Sequence, residues 1–127
     1  MQQLTLEWIE KAEGDYSTAL REYRARKAPN YDAACFHAQQ CVEKYLKAWL
    51  QENNIAFGKT HDLIPLGTQI LSVDPLFVTF LPALRTLNVY AVDFRYPGRT
   101  ADKIAAKEAV SHCTSLRKYI RQLLGLT

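Results

Sequence analysis

The sequence predicts an all-α fold, a bundle of four or five helices. Two observations carry that expectation. Apolar residues recur at three- and four-residue steps along most of the chain, with cap-forming residues before each run. No stretch alternates with period two for long, and only Ile55 to Phe57 hints at extended chain.

The first run, Leu4, Trp8, Ala12, Tyr16, Ala19, Leu20 and Tyr23, places one apolar face on a helix from about Thr5 to Arg26. It should stop in Lys27-Ala28-Pro29, because proline pushes the residue before it out of the helical region. Asn30 or Asp32 can cap a second helix, whose apolar positions run from Tyr31 to Trp49 and which Asn53-Asn54 end. Thr60 is the expected cap of a short third helix. Asp74-Pro75 starts the next one, since Asp caps and Pro at the first position loses no needed hydrogen bond. From Leu76 to Val92 only Arg85 is charged, and Pro82 should kink or restart the helix. Thr100 is the expected cap of a last helix carrying Ile104, Ala106, Ala109, Val110, Cys113, Leu116, Ile120, Leu123 and Leu124, closed by Gly125.

Length and composition narrow the class. A chain of 127 residues fits one domain, 1–127, and its 48% hydrophobic and 23% charged residues are those of a globular protein rather than a disordered one. A net charge of +3 suits an anionic partner without the strong excess of an obligate DNA binder. No uninterrupted apolar run of about 18 residues is present, so no membrane span is expected. Met1 to Glu10 lacks the basic start of a signal peptide. Cys35, Cys41 and Cys113 are odd in number and form no C-x-x-C pair, which argues against a disulfide framework and for a cytoplasmic setting.

Several residue sets could carry chemistry. Gly58-Lys59-Thr60 resembles the end of a phosphate-binding loop, but Asn53 stands where the motif needs glycine and no strand precedes it. His37 with Cys41, and His112 with Cys113, have metal-compatible spacing; the cysteines also fall on apolar stripes, where a thiol packs as a small hydrophobe, and no metal is expected. Asp15 lies on the apolar side of the first helix and needs a partner. The stripe His37, Gln40, Lys44 and Lys47 on the second helix offers one, while Glu43 and Lys47 read as an ordinary i, i+4 pair.

Asp93 to Arg99 places Arg95, Tyr96 and Arg99 in a Pro/Gly-stiffened loop. Guanidinium groups bind phosphate and tyrosine stacks on bases; alternatively, Arg95 pairs with Asp93 or Asp62 and pins the loop. Two basic helix ends, Arg21–Lys27 and Arg117–Arg121, would make an RNA-binding patch only if both lay on one side of the bundle.

The run Phe36-His37-Ala38-Gln39-Gln40-Cys41-Val42-Glu43-Lys44-Tyr45-Leu46-Lys47-Ala48 resembles the QQ-x-x-EK-x-LKA helix of HEPN domains, the higher eukaryote and prokaryote nucleotide-binding family. Trp8 with Ala12 and Asp15, then Thr60-His61-Asp62-Leu63, then Tyr90 leading to Arg95-Tyr96-Pro97, agree in order. The resemblance implies an up-and-down bundle of four to five helices, a homodimer, and a companion minimal nucleotidyltransferase in a toxin–antitoxin-like module. It also implies nucleotide or RNA binding; together with the polar stripe and the basic loop above, it makes Gln40, Lys44, Lys47, His61, Arg95, Tyr96 and Arg99 the candidate binding residues, and no cofactor is expected.

Metal-independent RNase activity in that family is associated with an Arg-x(4–6)-His motif. Here His37, His61 and His112 have no arginine at the required distance, and Thr100, Ala101 and Asp102 stand where Arg95 would need a histidine. Arg95 with His61, brought together by the fold, would be the replacement catalytic pair. A non-catalytic adaptor docking through Leu76–Val92 is the remaining expectation, because so short a chain can hardly bury that whole segment.

Overall fold

A computed structural model describes all 127 residues as five α-helices and one 3₁₀ segment. They are α1 (Gln3–Arg24), α2 (Tyr31–Glu52), α3 (Leu63–Leu71), the 3₁₀ turn Pro75–Phe80, α4 (Leu81–Asp93) and α5 (Lys103–Leu123).

Cross-helix contacts fix the topology. Tyr16 meets Thr114 and Glu13 meets Arg117, so α1 and α5 run in opposite directions. Asp15 meets His37 and Gln2 meets Glu52, so α1 also opposes α2. Phe80 packs on Tyr119 while Tyr90 reaches Glu108, so α4 opposes α5. The result is an up-and-down bundle of α1, α2, α4 and α5, with α3 a short helix in the connection from α2 to α4.

The core gathers around α2, whose Ala34, Cys35, Ala38, Cys41, Val42, Tyr45, Leu46 and Leu50 are almost fully enclosed. Burial on so wide an arc leaves α2 little solvated face, and even Gln39, Glu43 and Lys47 are buried. α5 adds Ala106, Ala109, Cys113, Leu116 and Ile120. Ile104, expected on that stripe, is 76% exposed; it stands two residues before Ala106, about 200° around the helix from the buried face.

The caps refine the expected boundaries. α1 ends at Arg24 rather than Arg26, because Tyr23 is its last apolar side chain against the core and only charged and small residues follow. Asp62, not Thr60, caps α3: its carboxylate accepts from the Ile64 N–H, and the Thr60 hydroxyl accepts from the Asp62 N–H. Asp102, not Thr100, caps α5 through the Ala105 N–H. In both T-x-D sequences the carboxylate wins, being the stronger acceptor and favoured by the helix dipole. Asn30 caps α2 through the Ala33 N–H, and Asp74 caps the 3₁₀ turn through the Leu76 N–H.

Two helix ends close alike. Asn54, at φ 56°, ends α2 with Asn54 N–H to Gln51 O and Ile55 N–H to Leu50 O. Gly125, at φ 75°, ends α5 with Gly125 N–H to Gln122 O and Leu126 N–H to Arg121 O. Both are the paired 5→2 and 6→1 hydrogen bonds of a Schellman closure, which needs a residue tolerant of the left-handed region.

Pro75–Asp93 is, by length and mean hydropathy, apolar enough to cross a membrane, although it holds no uninterrupted apolar run of about 18 residues. It is broken where the 3₁₀ turn gives way to α4 at Leu81, next to Pro82. Phe77, Ala83, Leu84 and Leu87 point into the bundle, whereas Leu76, Val78, Val89 and Val92 lie on the surface.

Candidate functional site

Between α2, the start of α3 and the end of α4 lies a cavity of about 320 Å³, lined by Phe36, Gln39, Gln40, His61, Asp62, Asn88, Ala91, Val92 and Arg95. Each wall is fixed by local chemistry. Gln39, buried on α2, donates from Nε2 to the His61 carbonyl at 2.7 Å and holds the loop against the helix. Asn88 Nδ2 donates to Asp62 Oδ1 at 2.7 Å, and its own Oδ1 accepts from the Leu63 N–H at 3.1 Å. α4 thereby clamps the first turn of α3.

The His61 ring stands in this cavity with Nδ1 2.9 Å from Glu43 Oε1. A carboxylate accepts, so Nδ1 is the donor, and Nε2 has no partner within the protein. The imidazole is 80% exposed while Glu43 is only 3% exposed. Glu43 is satisfied from other sides by Lys47 Nζ at 3.1 Å and by Gln40 Nε2 at 3.5 Å. Lys47 is buried as well, and its ammonium lies 5.4 Å from the centre of the Trp8 ring.

Arg95 closes the far side. Its guanidinium lies over the Phe36 ring at 5.4 Å and has neither an ion-pair partner nor a hydrogen-bond acceptor in the protein. The pairings weighed for it are taken by others: Asp93 binds Arg99 at 3.2 Å, and Asp62 is engaged by Asn88 and the Ile64 N–H. An unpaired guanidinium on an aromatic face presents its donors outward, the arrangement that recognises an oxyanion.

Of the residues expected at a binding site, the fold brings together Gln40, His61 and Arg95. Lys44 turns the other way and pairs with Asp15, which also holds His37 Nδ1 at 2.8 Å. Lys47 is buried against Glu43 and does not line the cavity. Tyr96 is exposed outside the cavity, and Arg99 is tied to Asp93. Glu43, Phe36, Asp62 and Asn88 also belong to the site, and of these the sequence marks only Asp62 there, as a partner for Arg95. Glu43 was legible in principle, since Val42, Tyr45 and Leu46 beside it are core positions and leave it no solvated face.

The other candidate sets resolve into packing. His37 faces Asp15 rather than Cys41, and Cys35, Cys41 and Cys113 are all fully buried. Burial pushes the Cys41 thiol well above its ordinary range, and Cys35 is pushed up to about 12. No three His, Cys, Asp or Glu side chains converge as a metal site would need. Because α1 and α5 are antiparallel, their basic C-terminal turns lie at opposite ends of the bundle and form no joint patch. Arg117 instead donates two hydrogen bonds to Glu13, at 2.7 and 2.6 Å, and stacks on Tyr16.

Comparison with known proteins fits this architecture. The family model described as HEPN domain matches residues 5–123. Among solved structures, TT1696 from Thermus thermophilus is similar at 23% identity and a TM-score of 0.74, over 95% of this chain and 98% of that one. ST0689, an archaeal HEPN homologue, is similar at 21% identity and a TM-score of 0.66, over 97% of this chain and 98% of that one. No curated protein matches. The two structures share the fold, and the family match spans nearly the whole sequence: the chain belongs to the HEPN family.

Proposed function

We propose that this HEPN protein binds a nucleotide or RNA in the cavity formed by Gln40, His61 and Arg95. One observation carries the reading: the unpaired Arg95 guanidinium shares a concave site with an exposed imidazole and the amide of Gln40. The protein acts in the cytoplasm as a homodimer beside a minimal nucleotidyltransferase, in a toxin–antitoxin-like module. The dimer assignment is supported by Leu76, Val78, Val89 and Val92, exposed on the 3₁₀ turn and α4. Titration with ATP and short RNAs tests the site. Binding that Arg95→Ala weakens supports it, whereas unchanged binding removes Arg95 from the site. Sedimentation of a stable monomer at micromolar concentration would sink the dimer.

A second reading, a metal-independent endoribonuclease, is favoured by the Glu43–His61 contact. A buried carboxylate that fixes Nδ1–H leaves Nε2 to accept a proton from a ribose 2′-OH, with Arg95 on the phosphate. RNA cleavage lost on His61→Ala supports it; equal cleavage by both preparations points to a contaminant.

A further inference from the structure

The cavity has a neighbour. Across Phe36, Ala91 and Arg95, which line both, lies a second cavity of about 350 Å³ whose other walls include Asp32, His37, Tyr90 and Phe94. Both volumes fall near the low end for small-molecule sites, about 300–1,000 Å³. Arg95 thus sits on the partition between two small chambers, over Phe36.

The charges are ordered along this groove. Arg95 is the only lysine or arginine lining either chamber, while Asp62 lines the first and Asp32 the second. Both carboxylates are held in place, Asp62 by Asn88 and Asp32 by the Ala101 N–H at 2.6 Å. A ligand that fits carries negative charge at the centre and neutral, hydrogen-bonding groups at both ends. A nucleoside triphosphate reverses that order, crowding several negative charges between one guanidinium and the carboxylates.

The chamber walls suit bases. In the second, Tyr90 and Phe94 stand ring against ring at 5.3 Å, a platform of the kind on which bases stack whatever their identity. In the first, Gln40 Nε2 is turned toward Gln39 and Glu43, so its Oε1 is free to accept from a base amine.

We infer that the groove binds an internal phosphodiester of a single-stranded nucleic acid, with the phosphate on Arg95 and one nucleoside in each chamber. The inference rests on the nucleotide or RNA reading above and selects a strand over a mononucleotide.

The dinucleoside monophosphate ApA, a single-stranded hexaribonucleotide, AMP and ATP, titrated against the full chain, separate the two levels. ApA and the hexamer should bind about 10-fold or more tighter than AMP or ATP, and Arg95→Ala should remove that preference. Phe94→Leu keeps an apolar side chain but removes the ring; it should weaken ApA by about 5- to 10-fold or more, the scale of one lost stacking contact, and weaken AMP less, because a single base can move to the other chamber. AMP or ATP binding as tightly as ApA, or Phe94→Leu weakening AMP and ApA alike, would overturn the two-chamber groove and leave the nucleotide reading intact. Failure of all four ligands to bind would overturn both.

Discussion

His61 Nδ1 lies 2.9 Å from Oε1 of Glu43, joining a ring that is 80% exposed to a carboxylate that is 3% exposed. The contact links the cleft to the interior, because the other oxygen of Glu43 accepts from buried Lys47. The two partners therefore have opposite roles: His61 faces a ligand, and Glu43 holds the floor.

Substitution should separate these roles. Glu43→Ala leaves the Lys47 ammonium buried beside Trp8 without an anion, and removing one partner of a buried pair costs about 3–5 kcal/mol. Glu43→Gln retains acceptor oxygen and volume, and should cost less. His61→Ala deletes an exposed side chain and should change stability by about 0.5 kcal/mol or less. Urea denaturation midpoints test the ordering. A His61→Ala loss as large as that of Glu43→Ala would show that the imidazole is structural.

Acid should loosen the contact between α1 and α5 before it unfolds the bundle. The paired hydrogen bonds from Arg117, and the one from Tyr45 at 2.6 Å, hold the Glu13 carboxyl below its ordinary value of 4.5. A carboxyl depressed in the folded state contributes stability that is full above its unfolded value and is lost as pH falls through the folded one. Glu13 keeps 35% of its side chain exposed, so the contribution is discounted to about 1 kcal/mol. Thermal midpoints should fall below about pH 4.5, and Glu13→Gln should flatten that part of the profile. A variant with the wild-type acid profile would place the responsible groups elsewhere.

The sequence resolves elements better than contacts, for reasons visible in particular residues. The apolar period of α2 located that helix, and Asp74-Pro75 located a helix start, because both are local properties of the chain. The T-x-D pairs were ambiguous, since Thr and Asp both cap and only the geometry of the first turn selects Asp62 and Asp102. Ile104 joined the wrong face because an apolar residue two positions off the stripe is not distinguished by composition. The site was least legible. Arg95 over Phe36, and His61 against Glu43, join residues whose approach is set by how α2, α3 and α4 pack.

Cysteine chemistry offers a check on that packing. Cys35, Cys41 and Cys113 have no measurable exposure, and burial raises the thiols of Cys35 and Cys41. A reagent that needs an accessible thiolate should label none of the three in native protein at pH 8, and all three in denaturant. Rapid native labelling of Cys35, which lies nearest the start of α2, would mean that this end of the helix opens readily.

Glycine substitutions should change stability in opposite directions at two helical sites. Gly14 is exposed within α1, and an added Cβ there meets nothing within 4 Å. Gly14→Ala should therefore stabilise the protein by about 0.5–1 kcal/mol, the difference in helical entropy between the two residues. Gly67 lies mid-way along α3, where a Cβ would come within 2.4 Å of Leu84 Cδ1 and 3.3 Å of Phe77 Cε1. Both neighbours are fully buried, so Leu84 can yield only by disturbing the core around it. Overpacking of this kind costs about 1–3 kcal/mol, enough to exceed the gain in helix propensity. Gly67→Ala should thus lower the denaturation midpoint while Gly14→Ala raises it. Stabilisation by both substitutions would mean that α3 stands farther from α4 than this packing requires.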